Sequence, residues 1–554
     1  MELNLGEVNE AVAAAVGDRE CVVWGEKRFT WAEFAERSRR FANHLVGEGL
    51  GCHTERSELE GWESGQDHLA LYLTNGNEYL EAMVGAYKAR VAPFNVNYRY
   101  VAEELRYLLA DARSTAIVYS GAFAQTLAEV RDDLPDLRVL IQVDDGSGAE
   151  LLPGAVAYED ALAAASPERP AVEPSPDDLY ILYTGGTTGM PKGVLWRQAD
   201  IGVSALGLAR DDGSEFESLD AVVEAATVGG MRFLPSPPFM HGAGHWIALR
   251  ALHGGHTVVI QPNTATLDPD DVWSTVERER ISFLLIVGDA FGQPLLDQLD
   301  RRRAEGRPYD LSSLAIILSG GAALSAPLKT RFLDHLPAVM VVDGVGSSEA
   351  GGQMSHVSTK DTGASTGTFT PAPGSVVLDD TMEKVLDAGH DGDGWLAKGG
   401  RIPLGYLGDE RKSESTFPTV DGNRWSVPGD RARLRADGVI ELLGRDSVTI
   451  NSGGEKIFVE EVEAALRNHA DVYDCVVCGR PSERWGSEVV AVVQLREGAT
   501  PDPDALRATC EQHIARYKVP KAFVFQSAIV RSPAGKADYR WAKSVASGDE
   551  VASG

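Results

Sequence analysis

Cationic residues are scarce in this 554-residue chain: 52 lysines and arginines stand against 82 aspartates and glutamates, a formal net charge of −30 at pH 7. That deficit argues against nucleic acid or an anionic membrane surface as partner, since either would repel the chain. Cysteine is scarcer still. The five thiols (Cys21, Cys52, Cys475, Cys478, Cys510) are odd in number and scattered, so no disulfide framework is implied. Cys475 and Cys478 have C-x-x-C spacing, but they lie in the run 472–478, which reads as a strand rather than a redox or zinc site. No apolar run approaches the roughly 20 residues of a membrane helix. The start, Met1-Glu2-Leu3-Asn4, lacks the basic and apolar regions of a signal peptide. A cytoplasmic protein without an integral membrane segment is expected.

The remaining composition is that of a globular protein, 43% hydrophobic and 24% charged, with 58 glycines. A chain this long exceeds one hydrophobic core, so two or more domains are expected. Up to about residue 170, amphipathic helices alternate with short apolar strands such as 68–73, an α/β pattern. Residues 281–287 and 314–318 continue it in a second α/β layer. The polar segment 53–66 reads as a surface insertion, 167–178 as a linker, and the acidic segment 211–218 as solvated surface.

Most of the chemistry sits in one stretch. The strand-like Leu179-Tyr180-Ile181-Leu182-Tyr183 runs into Thr184-Gly185-Gly186-Thr187-Thr188-Gly189-Met190-Pro191-Lys192-Gly193. Glycines let backbone N–H groups approach an anion, threonine hydroxyls add donors, and a lysine adds a point charge. A polyphosphate needs these groups. The spacing is neither the common P-loop nor the dinucleotide G-x-G-x-x-G.

The stretch resembles the phosphate loop of the adenylate-forming superfamily of acyl-CoA synthetases, adenylation domains and luciferases, with Gly185 where serine is usual. Further segments resemble that family in the expected order. In Pro237-Pro238-Phe239-Met240-His241, His241 takes the place of a residue bordering the acyl pocket and the pantetheine tunnel. A metal at His241 and His245 is not expected, because no third ligand is near in sequence. The absence of an aspartate here points to a simple carboxylic acid. Ser319-Gly320-Gly321-Ala322 is similar to the adenine-edge loop. In Asp343-Gly344-Val345-Gly346-Ser347-Ser348-Glu349, Ser348 would lie near the α-phosphate and Glu349 would bind Mg²⁺. Val345 replaces the tyrosine that stacks on adenine, which leaves Asp343 for the adenine amino group. Asp430 would hold ribose and Arg445 ribose or phosphate, while the usual hinge position is Ser447. Gly453 and Gly454 belong to a loop that enters the tunnel, and Lys536 in Arg531-Ser532-Pro533-Ala534-Gly535-Lys536 would be the catalytic lysine.

The resemblance implies a large N-terminal AMP-binding domain over 1–444, made of two layered α/β subdomains and a small β-barrel. A small α+β C-terminal domain over 445–554 would be hinged to it. The implied catalytic residues are Lys536, His241 and Glu349, the implied cofactors ATP, Mg²⁺ and CoA, and the partner a small carboxylic acid. A homodimer is compatible. The acid would become an acyl-adenylate with loss of pyrophosphate and then pass to the CoA thiol with loss of AMP. The segments 183–189, 448–456 and 531–543 look like those of actinobacterial fatty-acyl or steroid side-chain CoA ligases, and the small Ala350, Gly351 and Gly352 would leave room for a bulky acyl group. The alternatives are an acyl-AMP ligase loading a carrier protein and a non-catalytic acyl- or nucleotide-binding homologue.

Overall fold

The computed structural model describes residues 1–184, 190–452, 455–482, 485–532 and 535–548. Two parallel sheets organise the large N-terminal part. One has the order Ala92–Asn95, His68–Tyr72, Ser114–Ser120, Val139–Val143, Ala155–Ala157. The other has the antiparallel edge strand Lys27–Thr30 and then runs parallel through Glu20–Trp24, Thr257–Ile260, Arg232–Pro235, Phe283–Ile286, Ile316–Gly320, Met340–Ser347. Strands covered on both faces read as unbroken apolar runs, and all four residues of Phe283–Ile286 are buried.

One core joins the two sheets. Leu69, Leu71 and Val118 of the first sheet share it with Val22, Val258 and Phe233 of the second. Helices fill the space between. Every residue of Asn77–Lys88 is buried, as are eight of twelve in Gly242–His253. The helix Trp31–Gly47 begins with a reciprocal capping box, Thr30 with Glu33, which fixes its start where Thr-Trp-Ala-Glu occurs in the sequence. Each large side chain buried here, such as Phe34 or Phe41, contributes about 1.5–3 kcal/mol.

Beyond Met340–Ser347 the second sheet turns antiparallel through Gly351–Ser358, Thr368–Pro371, Ile440–Arg445, Asp430–Leu434 and Gly394–Gly399, the small β subdomain. A separate hairpin, Leu179–Thr184 with Lys192–Arg197, carries Gly405–Tyr406 on its edge. The small C-terminal domain has a three-stranded sheet, Val472–Ser482, Gly486–Leu495 and Ala522–Phe525. Helices Val459–Leu466 and Pro503–His513 cover one face and Tyr539–Ser547 the other. Cys475 packs under the first pair and Cys478 under the last, on opposite faces, so they cannot act as a redox pair. Among the described residues no helix is long and apolar enough to cross a membrane.

Two polar stretches are more firmly anchored than their composition suggests. In the segment expected to be a linker, Asp178 is buried and accepts from Arg90 Nε at 3.0 Å. In the acidic segment expected to be solvated, Glu215 is gripped by Arg401 at 2.8 Å. That guanidinium, with the N-terminal amine, holds the Glu215 carboxyl down at about 2. The insertion 53–66 lies at the surface as expected, with Trp62 carbonyl accepting from Gly408 N–H at 2.7 Å.

Candidate active site

A cavity of about 1600 Å³ opens between the hairpin, the C-terminal ends of the second sheet and the small domain. It is large beside the ~300–1,000 Å³ usual for small-ligand sites, enough for more than one ligand. Thr184, His241, Gly320, Gly321, Ser348 and Lys536 all line it. Residues separated by hundreds of positions in sequence meet there. Gly185, Gly186, Thr187, Thr188, Gly189, Gly453 and Gly454 lie outside the described residues.

Two asparagines, Asn95 at the end of strand Ala92–Asn95 and Asn75 in the loop after strand His68–Tyr72, fix segments that line the cavity. Asn95 donates to the Tyr183 carbonyl at 2.9 Å and the Met240 carbonyl at 2.7 Å, and accepts from Tyr183 N–H at 2.8 Å. Asn75 donates to the Pro237 carbonyl at 3.1 Å and accepts from Phe239 N–H at 2.6 Å. Buried amides with several backbone partners fix a loop firmly. The strand entering the phosphate-type loop and the His241 loop are therefore set against each other. Neither asparagine's role is legible in the sequence, since a lone asparagine gives no signal.

His241 Nε2 is buried without a hydrogen-bond partner. Burial, then the Lys536 ammonium and His245, push its imidazolium down to about 3, so a neutral ring faces the cavity. His245 is a core residue: Nδ1 bonds the Phe239 carbonyl at 2.7 Å and Nε2 pairs with the Tyr180 hydroxyl. Among the described residues no three His, Cys, Asp or Glu side chains converge as a metal site.

Glu349 follows the strand Met340–Ser347. One carboxylate oxygen accepts from Tyr406 OH at 3.0 Å, and its carbonyl accepts from Ser426 Oγ at 2.5 Å. Tyr406 was not anticipated. The neighbouring Ser348 is held through its carbonyl by Trp196 Nε1 at 2.8 Å. Asp430 and Arg445 pair at 3.2 Å. Six expected residues stand off the cavity lining: Glu349, held by Tyr406, the Asp430–Arg445 pair, Lys192, which pairs with Asp409, Asp343, which pairs with the buried Lys329, and Ala322, which packs beside Gly288. Burial pushes the Asp343 carboxyl up to about 6 despite the lysine. Gly351 and Gly352 line the cavity, whereas Ala350 is fully buried outside it.

Lys536 has solvent access, yet protein surrounds the cavity into which it points. Enclosure and the Arg445 guanidinium push its ammonium below the usual lysine value, while Glu349 and Asp430 hold it up. One cation thus stands among the acids expected to handle the nucleotide.

Near the end of strand Ile440–Arg445, Gly444 has φ +136° and lies against Glu460, where a side chain would collide. Glu460 Oε1 accepts from Arg445 N–H at 3.4 Å, and Oε2 is buried without a partner. Burial, then Glu463, push the carboxyl up to about 7. An unfolded glutamate titrates near ~4.3, so between these values the folded chain binds more protons. Stability from this group therefore falls as pH rises through that window. Glu460→Gln is expected to raise the melting temperature by a few degrees near pH 8 and leave it unchanged near pH 4, below the window, as calorimetry would read.

Comparisons with known proteins give the chain's family. The AMP-binding enzyme family matches residues 9–407, and the AMP-binding enzyme C-terminal domain matches 461–536. The chain is 54% identical over 539 residues to the medium-chain acyl-CoA ligase Mig of Mycobacterium avium, covering 97% of each. It is 40% identical over 550 residues to a medium/long-chain-fatty-acid and 3-oxocholest-4-en-26-oate CoA ligase of Mycolicibacterium smegmatis, covering 98% and 97%. Among solved structures it superposes on the anthranilate CoA ligase AuaEII in complex with anthranoyl-AMP, with TM-score 0.81 at 20% identity and 98% coverage of both. The chain belongs to the AMP-binding enzyme family of adenylate-forming enzymes.

Proposed function

We propose that this chain is an ATP-dependent acyl-CoA ligase for fatty acids or steroid side-chain carboxylates, the substrates named for its relatives. One observation carries the reading: Lys536, on the C-terminal domain, lines the same cavity as Thr184, His241 and Ser348 of the large domain. A carboxylate and ATP repel each other, so activation is chiefly alignment and charge neutralisation. In this reading Lys536 spans the acid's carboxylate and the α-phosphate. The carboxylate oxygen bonds the α-phosphorus, the bond to the bridging oxygen breaks, and pyrophosphate leaves. Neutral His241 borders the acyl carbon without adding a second positive charge.

Lys192 would exchange Asp409 for phosphate oxygens. Acyl-CoA ligases of this family use ATP, Mg²⁺ and CoA. Glu349 would hold the Mg²⁺: one carboxylate, with no cage of acids or histidines around it among the described residues, suits an ion that keeps waters and phosphate ligands. The ion supplies charge neutralisation at the phosphates when bound. Asp430 and Arg445 would take ribose, and the domains would turn just past Arg445, at the hinge position Ser447. Thioester formation then needs a thiol, of free pKa about 8.5, to approach the face that Lys536 occupies here. Five unpaired cysteines fit a reducing, cytosolic setting.

The test is AMP formation with ATP, Mg²⁺ and CoA across medium-chain, long-chain, aromatic and steroid side-chain acids. CoA-dependent AMP with an aliphatic or steroid acid is expected. Pyrophosphate release with thioester formed only on a holo-carrier protein would replace CoA as acceptor, and silence across all acids would overturn the reading.

A further inference from the structure

The lysine loop is held by a chain of charges that begins in the other domain. Asp289 follows the strand Phe283–Ile286 and heads the helix Gly288–Ala304 of the large domain. Its Oδ1 accepts from Ser325 N–H at 2.7 Å, just past the Gly320–Gly321 turn that lines the cavity. Its Oδ2 lies 3.1 Å from Arg467 Nε of the small domain, an ion pair across the interface. Arg467 also reaches Glu463 at 3.4 Å, the Cys475 carbonyl at 3.2 Å and Asp474 at 3.8 Å. Asp474 takes Arg531 in a two-point fork, both contacts at 2.7 Å. Arg531 Nη1 then donates to the Gly535 carbonyl at 3.1 Å, one residue before Lys536.

The side chains of Asp289, Arg467, Asp474 and Arg531 retain only 12–14% exposure. Charges this enclosed hold their geometry because solvent cannot replace a lost partner cheaply. A second contact fixes the same loop: Gly535, at φ +71°, packs its backbone on Val287 and Ala290, next to Asp289. A forked Arg–carboxylate pair sets direction as well as distance.

We propose that Asp289, Arg467, Asp474 and Arg531 form an interdomain clamp that registers Lys536 over the adenylation centre. Asp289 is a positioning residue: it takes no part in the bonds made or broken and acts only through Lys536. The proposal rests on the ligase reading above. Because a misplacement of about 1 Å in a catalytic group can cost ~10²-fold, loosening the clamp slows the step that needs Lys536. Transfer of a supplied acyl-adenylate to CoA brings no carboxylate up to the triphosphate and does not need the lysine there.

The test uses the full chain, wild type and Asp289→Asn, which keeps an acceptor for Ser325 N–H and removes the charge facing Arg467. Acid-dependent ATP–pyrophosphate exchange is expected to fall about 10- to 100-fold, with transfer from synthetic acyl-AMP to CoA held within about twofold. Asp289→Glu is expected to recover part of the exchange. Combined with Lys536→Ala, Asp289→Asn is expected to add no further loss, since residues acting as one unit are not additive. Equal loss in both half-reactions, unchanged exchange, or an additive double variant overturns the clamp while leaving the ligase intact. Wild-type protein that exchanges pyrophosphate with no acid overturns the ligase reading, and the clamp with it.

Discussion

Lys536→Ala is expected to reduce acid-dependent pyrophosphate release about 10²–10³-fold while leaving the fold unchanged. The side chain lines the cavity while keeping solvent access, close enough to feel Glu349 and Asp430, so its charge is available to an incoming carboxylate and phosphate. No other lysine of the described residues lines that cavity except Lys398, and Lys398 donates to the Pro373 carbonyl at 2.5 Å. Of the arginines in the lining, Arg197 and Arg401 are already tied to carboxylates. The check is a pyrophosphate-release assay beside circular dichroism of both proteins. Loss with an intact fold supports the assignment, whereas an alanine variant within a few-fold of wild type would remove Lys536 from the chemistry.

Gly352→Leu is expected to separate acids by bulk. A β-carbon at 352 would find the Ser204 carbonyl oxygen no closer than 3.4 Å, so the backbone tolerates a side chain. The rest of the leucine would project from a residue that lines the cavity and occupy acyl space. Even one methylene of lost room in a hydrophobic pocket discriminates by ~10–200-fold. Steroid side-chain acids should lose kcat/KM in that range, with medium-chain acids changed less than about threefold. Gly351 gives a contrast, because a β-carbon there would meet Ser204 Cβ at 2.8 Å and disturb the wall itself. Parallel loss of both acid classes in Gly352→Leu would place the acyl group elsewhere.

Much of this site was legible in the sequence because its residues come in short, ordered strings. Ser319–Gly321 and Ser347–Glu349 each lie at or just past the end of a parallel strand, where backbone and side chain face the crevice together. What the sequence withheld was pairing. Nothing around Tyr406 announces that its hydroxyl would support Glu349, 57 residues earlier in the chain. Asp289 and Arg467 each look like a surface charge on a helix until the domains are placed together. Composition also misled locally. Asp178 and Glu215 sit in acidic, loop-like stretches, yet arginines from distant elements draw both into the structure. Long-range ion pairs leave no periodic trace, so no reading of spacing could have found them.

The central claim, that the acid is activated by forming a bond to the α-phosphorus in this cavity, can be followed atom by atom. A medium-chain acid labelled with ¹⁸O in its carboxyl group is incubated with the enzyme, ATP, Mg²⁺ and CoA, and the products are weighed by mass spectrometry. Attack of the carboxylate on the α-phosphorus predicts one ¹⁸O atom in AMP, none in pyrophosphate, and one left in the acyl-CoA carbonyl. Unlabelled AMP, or label in inorganic phosphate beside ADP, would contradict it, because the acid would then have been activated elsewhere on the nucleotide or not by this route at all.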